Sequence, residues 1–162
     1  MSQKKKCNQK KIFISWSGDN SKLIAKALKT TLENQIFTNT GLQCFVSDLD
    51  ISSGDDWWQK IKSELRSCKL GIACITKENL LAPWIYFESG AMISHNLRLI
   101  PLLINCNIKA LSDTPLSSKN MVDFYNQDKF VKMIIDINNE FNLLQIEPKN
   151  LEIIAINAYK NL

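Results

Sequence analysis

Short apolar runs alternate along this chain with segments whose apolar residues recur at helical spacing. The clearest run, residues 70–76, is continuously apolar, as expected of a strand covered on both faces. Similar runs at residues 11–16, 44–47 and 99–104 predict three more strands, and residues 121–124 predict a short fifth. Alternating strands and helices build parallel sheets. We therefore predict an α/β fold, an open five-stranded parallel sheet of order 2-1-3-4-5 with helices on both faces.

Charge separates the beginning of the chain from the rest. Of the formal net charge of +4, five positive charges fall within residues 1–11, which contain no acid, so the rest carries −1. We expect residues 1–10 to be a basic flexible leader and residues 11–142 to be the folded domain. Residues 143–162 are expected to form a C-terminal helix or a linker toward a further domain. A folded part without a basic face does not favour a nucleic-acid partner.

The cysteine and histidine content limits which cellular compartment and which kinds of catalytic or metal site the sequence is compatible with. The five cysteines are an odd number without a C-x-x-C pair, which is typical of buried thiols in a reducing cytosol. No apolar run reaches the roughly 18 residues needed to span a membrane, and we expect a cytoplasmic protein that does not bind membranes. The single histidine, His95, has no serine or cysteine motif pointing to it. We predict no metal site.

Trp84 and Glu88 stand four residues apart directly after Pro83, so a helix would place both on one face. A flat ring beside a carboxylate can hold a cationic aromatic leaving group and the sugar carbon that carries it. Taken alone, the same spacing is more typical of a packed tryptophan beside a solvated glutamate. The pair is informative only together with its surroundings.

Three unusual segments follow the first three predicted strands: residues 15–18, 48–57 and 83–88. Ligands of open α/β sheets bind beyond the carboxyl ends of the strands, near the point where strand order reverses. In the predicted order these segments are neighbours and form one crevice.

These segments together resemble a bacterial TIR (Toll/interleukin-1 receptor) domain. The resemblance rests on F-I-S-W-S at residues 13–17, D-I-S-S-G-D-D-W at residues 50–57 and W-I-Y-F-E-S-G-A at residues 84–91, and it spans roughly residues 10–142. The loop after the second strand lacks the Pro-Gly of animal receptors and adaptors. This departure places the chain nearer the enzymatic prokaryotic members.

The resemblance implies NAD+ as a substrate, not as a cofactor, and places Glu88 at the position of the family's catalytic glutamate. It implies substrate contacts for the following residues: Phe13, Ser15, Trp16, Ser17, Asp48, Trp57, Trp84 and Phe87. For Phe13, ordinary core packing is an equal alternative. The loop at residues 48–57 mediates head-to-tail self-association in this family, and a plain solvent-exposed loop is again the alternative.

The implied reaction cleaves the nicotinamide–ribose bond and yields ADP-ribose or a cyclic isomer, depending on the nucleophile that reaches the sugar. Prokaryotic TIR enzymes are associated with anti-phage defence, act on assembly, and work with a sensor or effector protein or domain. Three other interpretations stay open: a non-catalytic TIR scaffold, a nucleoside deoxyribosyltransferase-like enzyme, and a flavodoxin, whose topology is the predicted one. A receiver domain fits less well because its acidic residues are absent.

Overall fold

Five parallel strands form one sheet in a computed structural model that describes residues 9–46 and 56–162, with Trp57 described by its backbone alone. Residues 1–8 of the predicted leader and most of the predicted loop at 48–57 lie outside the described residues. The strands are β1 (Lys11–Ser15), β2 (Gln43–Val46), β3 (Leu70–Thr76), β4 (Arg98–Ile104) and β5 (Val122–Asp123). Their order is β2-β1-β3-β4-β5, which confirms the predicted flavodoxin-like topology.

Five α-helices accompany these strands: α1 (Asp19–Thr31), α2 (Trp57–Ser67), α3 (Pro83–Ser94), α4 (Gln127–Phe141) and α5 (Pro148–Lys160). Helix α1 continues directly into a π-helical turn, Leu32–Ile36. Two short 3-10 helices, Ile108–Leu111 and Pro115–Ser118, follow β4. Within the described part of the chain, every helix is too short or too polar to cross a membrane.

The sheet separates two hydrophobic cores, and β1 contributes alternate residues to each because strand side chains point to opposite faces. Ile12, Ile14 and Trp16 pack with the buried faces of α1, α4 and α5, which we call the α1 core. Phe13 packs on the opposite face with α2 and α3, which we call the α3 core. The direction of a β1 side chain therefore decides which helices it meets.

Residues 148–160 form a helix packed on the domain. Leu151, Ala155 and Ala158 of α5 are buried in the α1 core, one to each turn of the apolar face.

Helix α3 lies close to the sheet and ends sharply. Gly71 of β3 allows this approach, since a Cβ there would come closer than 3.0 Å to Sδ of Met92 in α3. At its other end the N–H of Leu97 donates to the Met92 carbonyl (3.0 Å) and the N–H of Asn96 to the Ile93 carbonyl (3.0 Å). Asn96 is left-handed, with φ 60°. These bonds form a Schellman motif, which ends α3. Gly71 and this motif thus determine how closely α3 approaches the sheet and where it ends.

The outer edge of β2 is covered by two side chains, one from α1 and one from the π-helical turn that follows it. The Glu33 carboxylate accepts from the Cys44 N–H (2.6 Å), and the Lys29 ammonium donates to the Cys44 carbonyl. The two side chains also form an ion pair with each other, at 3.1 Å. Both backbone groups of Cys44 at this edge are thus already bonded.

Candidate active site

Glu88 lies inside the protein, where it meets the last residue of β1. The Glu88 side chain is fully buried, as is Ser15, whose hydroxyl donates a hydrogen bond to Glu88 Oε2. Ser15 points to the α3 face because it alternates with Ile14 and Trp16, which enter the α1 core. A hydroxyl that donates to a carboxylate makes a strong, charge-assisted hydrogen bond. Two residues that are 73 positions apart are thereby joined at the carboxyl end of the sheet.

Three aromatic rings, two from α3 and one from α2, form a row that includes the residue before Glu88. The rings of Trp84 and Phe87 stack with centroids 5.6 Å apart and an interplanar angle of 29°. The Phe87 ring also lies 5.1 Å from that of Trp58 in α2. We call these three rings the aromatic row. Phe87 is 46% exposed, so part of the row faces solvent one residue before Glu88.

Trp58 was not among the residues predicted from the sequence, which singled out its neighbour Trp57. The Trp-Trp pair was the available signal, but the spacing within α2 alone does not say which ring meets α3.

The other predicted residues of strand one separate into two groups. Phe13 is fully buried in the α3 core, with its ring 5.3 Å from that of Phe45. Trp16 is 4% exposed and lies in the α1 core, on the sheet face opposite Glu88, with the Lys22 ammonium 4.7 Å from the ring centroid. Ser17 is half-buried just beyond β1. The structure thus brings Ser15, but not Trp16, to Glu88, while Asp48 lies outside the described residues.

Asn79 was missed entirely by the sequence analysis, although it is a buried polar residue next to these elements. Its side-chain amide donates to the carbonyls of Ser17 and Cys74, both at 3.0 Å. Its side-chain oxygen accepts from the Thr76 N–H at 2.8 Å. The sequence offered a weak signal, a Thr-x-x-Asn turn directly after a buried strand, because such side chains commonly bond nearby backbone.

Titratable groups near the site have structural roles. Burial raises the pKa of the Cys74 thiol to about 12, so this cysteine stays protonated and is a poor nucleophile. Burial also raises the pKa of Tyr86, whose hydroxyl donates to the Leu80 carbonyl (2.6 Å) ahead of α3. His95 Nδ1 lies 2.9 Å from the Ala91 carbonyl at the end of α3. In the described part of the chain, no three His, Cys, Asp or Glu side chains are grouped to hold a metal ion.

Comparison with known proteins identifies the family but little more. No curated protein matches this sequence. Among solved structures, the chain is similar to the TIR domains in the structure of the activated Roq1 resistosome directly recognizing the pathogen effector XopQ. That match has 9% sequence identity and a TM-score of 0.47, over 93% of this chain and 83% of that chain, and supports no argument alone. The family model of the TIR domain matches residues 12–135, which includes all five strands and α3, and the chain therefore belongs to the TIR domain family.

Proposed function

We propose that this TIR domain cleaves NAD+ between nicotinamide and ribose, with Glu88 as the catalytic carboxylate. The observation that carries the proposal is the buried pair of Glu88 and Ser15. It lies at the carboxyl end of the sheet, where ligands of open α/β folds bind. A glutamate that served only to solvate the outer face of α3 would be exposed, whereas Glu88 is fully buried against a serine hydroxyl. Burying a carboxylate is costly unless it is hydrogen-bonded, which suggests a use for it.

One carboxylate is chemically sufficient for this reaction. The C–N bond between ribose and the pyridinium breaks with both electrons moving to nitrogen, so nicotinamide leaves as a neutral base and needs no general acid. Positive charge then develops at the anomeric carbon, where an ionised Glu88 would stabilise it. A water oxygen bonds to that carbon and loses a proton, giving ADP-ribose. If a hydroxyl or ring nitrogen of the same nucleotide attacks instead, the product is cyclic.

The aromatic row is the proposed site for one of the two rings of NAD+. The partly exposed Phe87 lies between Trp84 and Trp58, so a flat heterocycle could join the row by stacking on an open face. Because Glu88 follows Phe87 directly, a ring held there would have its ribose within reach of the same turn of α3. This adds Trp58 to the predicted contacts.

Full burial of Glu88 also leads us to propose that the enzyme is activated by assembly. With no exposed surface on Glu88, the ribose cannot contact the carboxylate until neighbouring groups move. We propose that self-association through residues 48–57 provides this movement, with a sensor or effector protein as the trigger. We further propose a cytoplasmic role in anti-phage immunity, in keeping with the free thiols at Cys44, Cys68, Cys74 and Cys106.

The test compares Glu88→Gln with wild type after clustering, for example on nickel-chelating vesicles through a terminal histidine tag. Glutamine keeps the size of the side chain and an oxygen that can accept from Ser15, so the fold should survive. Glu152→Gln is the matched control, because Glu152 is exposed on α5, away from β1 and α3. Products of incubation with NAD+ are identified by chromatography and mass spectrometry, with deoxynucleosides as alternative substrates.

We expect wild type and Glu152→Gln to release nicotinamide, and Glu88→Gln to fall to background at an unchanged Tm. The same chromatogram distinguishes ADP-ribose from a cyclic isomer. Clustered wild type that releases no nicotinamide, or a Glu88→Gln variant that keeps full activity, would contradict the proposal. A non-catalytic scaffold is the second candidate, favoured by the same burial of Glu88, and it predicts self-association without any NAD+ loss.

A further inference from the structure

We propose that Asn79 is a positioning residue for the NAD+ cleavage proposed above, on which this inference rests. Asn79 does not touch Glu88 in the described contacts. It connects the segment that follows Ser15 to the end of β3, and thereby determines where the Ser15 hydroxyl meets the Glu88 carboxylate.

The Asn79 side chain bridges β1 and β3 just beyond the point where their backbone hydrogen bonding ends. The last paired residues are Ser15 and Ala73. Beyond them the Asn79 amide donates one hydrogen bond to each side, to the Ser17 carbonyl and to the Cys74 carbonyl, both at 3.0 Å. One side chain therefore connects the two strand ends where they no longer bond each other directly.

Asn79 is itself held firmly. It is 4% exposed, its side-chain oxygen accepts from the Thr76 N–H (2.8 Å), and its own N–H donates to the Thr76 hydroxyl (3.2 Å). These partners also determine the orientation of the amide, since two carbonyls require the nitrogen and an N–H requires the oxygen. A carboxylate at this position would face both carbonyl oxygens and could bond neither.

Ser21 in the first turn of α1 provides a second connection between the same two residues, Ser17 and Cys74. Its hydroxyl donates to the Cys74 carbonyl (3.0 Å) and accepts from the Ser17 N–H (3.3 Å). Ser17 is thus held through its carbonyl by Asn79 and through its N–H by Ser21. Because Ser17 is only two residues from Ser15, the chain between them has little freedom to shift.

Loss of this arrangement should affect the chemical step more than substrate binding. Ser15 contacts the proposed catalytic carboxylate, whereas the aromatic row that we assign to the substrate ring lies on α2 and α3. A misplacement of about 1 Å within a catalytic site can cost about a hundredfold in rate. We therefore expect Asn79→Ala to lower kcat by up to about a hundredfold while KM changes little.

The matched control is Asn138→Ala. Asn138 also binds backbone through both ends of its amide, accepting from the Leu144 N–H (2.9 Å) and donating to the Leu144 carbonyl (3.3 Å). It does so at the end of α4, so its loss removes a comparable contact away from β1. Activity of clustered Asn138→Ala should equal that of wild type.

A double-mutant cycle tests whether Asn79 acts through Ser15. If it does, Asn79→Ala should cost little further activity in a Ser15→Ala background, because the hydroxyl that it positions is already gone. Losses that multiply independently would show that Asn79 is a structural residue only. Ser21→Ala is a milder variant, and it serves in the same cycle if Asn79→Ala does not fold.

Hydrogen exchange of the peptide around residues 14–22 provides a measurement without substrate. Asn79→Ala should accelerate exchange there, and Asn138→Ala should not; equal exchange in wild type and Asn79→Ala overturns the inference. Clustered wild type without nicotinamide release refutes the proposed function, and the positioning role with it. An active wild type with an equally active, folded Asn79→Ala refutes the role of Asn79 alone.

Discussion

The close approach of α3 to the sheet predicts opposite outcomes for two chemically identical substitutions, Gly71→Ala and Gly90→Ala. A Cβ on Gly71 would lie closer than 3.0 Å to Met92 Sδ and 3.2 Å from its Cγ, both inside ordinary van der Waals separation. Met92 is fully buried, so its side chain can yield only by displacing other core groups. A Cβ on Gly90, which is exposed on α3, would meet no atom within 4 Å.

The two magnitudes follow from packing and from chain entropy. Adding a methyl group to a well-packed core costs about 1–3 kcal/mol. Alanine recovers about 0.5–1 kcal/mol of this, because glycine loses more conformational freedom on folding. Gly71→Ala should therefore lower the free energy of unfolding by up to about 2.5 kcal/mol. Gly90→Ala pays no packing cost and should raise it by about 0.5–1 kcal/mol.

Thermal unfolding followed by circular dichroism measures both variants under identical conditions. For a domain of this size, 1 kcal/mol corresponds to about 2–4 °C in Tm. We expect Tm to fall by up to about 10 °C for Gly71→Ala and to rise by about 1–4 °C for Gly90→Ala. Chemical denaturation with an unchanged m-value would confirm that the native state, and not the unfolded chain, accounts for the loss.

The sign of the Gly71→Ala effect is the decisive result. If Gly71→Ala raises Tm as Gly90→Ala does, the contact with Met92 yields without cost and the explanation for the position of α3 is wrong. A second check combines Gly71→Ala with Met92→Ala. The double variant should be more stable than the sum of the single effects predicts, because the new methyl group then occupies space that the shortened side chain vacates.

Three further predictions concern the end of α3, the buried thiols and Ser15. Asn96→Val should lower stability by about 1–2 kcal/mol, because a β-branched residue is strained at φ 60°, whereas Asn96→Gly should not; denaturant titration distinguishes them. Burial raises the pKa of Cys68 and Cys74 from about 9 to about 12. Above about pH 9 the unfolded chain loses these thiol protons while the folded chain keeps them, so the free energy of unfolding falls as the pH rises from about 9 to about 12. The free energy of unfolding should fall between pH 8 and pH 10, and it should fall less steeply in Cys74→Ala than in wild type. Identical slopes of this free energy against pH in the two proteins would contradict the prediction. Ser15→Ala should lower kcat of clustered protein by at least about tenfold, as expected for loss of a charge-assisted hydrogen bond of about 1.5–3 kcal/mol, and unchanged turnover would refute the role of Ser15.

Much of the fold was predictable because its strongest determinants are periodic. The continuous apolar run of β3 and the helical spacing in α1 and α4 arise directly from burial, and burial is what sequence patterns report. Periodicity does not give the strand order; the predicted order is the one in which the three unusual segments are neighbours, and the structure confirms it. The π-helical turn after α1 was not predictable, since it adds one residue to a turn without changing which residues are apolar.

The candidate site was predictable only where chemistry is concentrated in a motif. Glu88 stood out through its spacing from Trp84, and Ser15 through its place at the end of a strand. Asn79 had only the weak signal of a Thr-x-x-Asn turn, because its bonding partners are backbone atoms of Ser17, Cys74 and Thr76, which residue types do not reveal. The same holds for Gly71, whose importance depends on a methionine 21 positions away.

The ion pair of Lys29 and Glu33 on the edge of β2 limits the ways in which copies of this domain can join. A strand from a second molecule that approached β2 would find the N–H and carbonyl of Cys44 already occupied and would first have to displace two charged side chains. Pairing of a further strand at Cys44 is therefore opposed by one residue of α1 and one of its π-helical extension. Contacts between copies on this side are thereby favoured through side-chain surfaces, whose specificity evolution can adjust residue by residue, over backbone pairing at Cys44, which is indifferent to sequence.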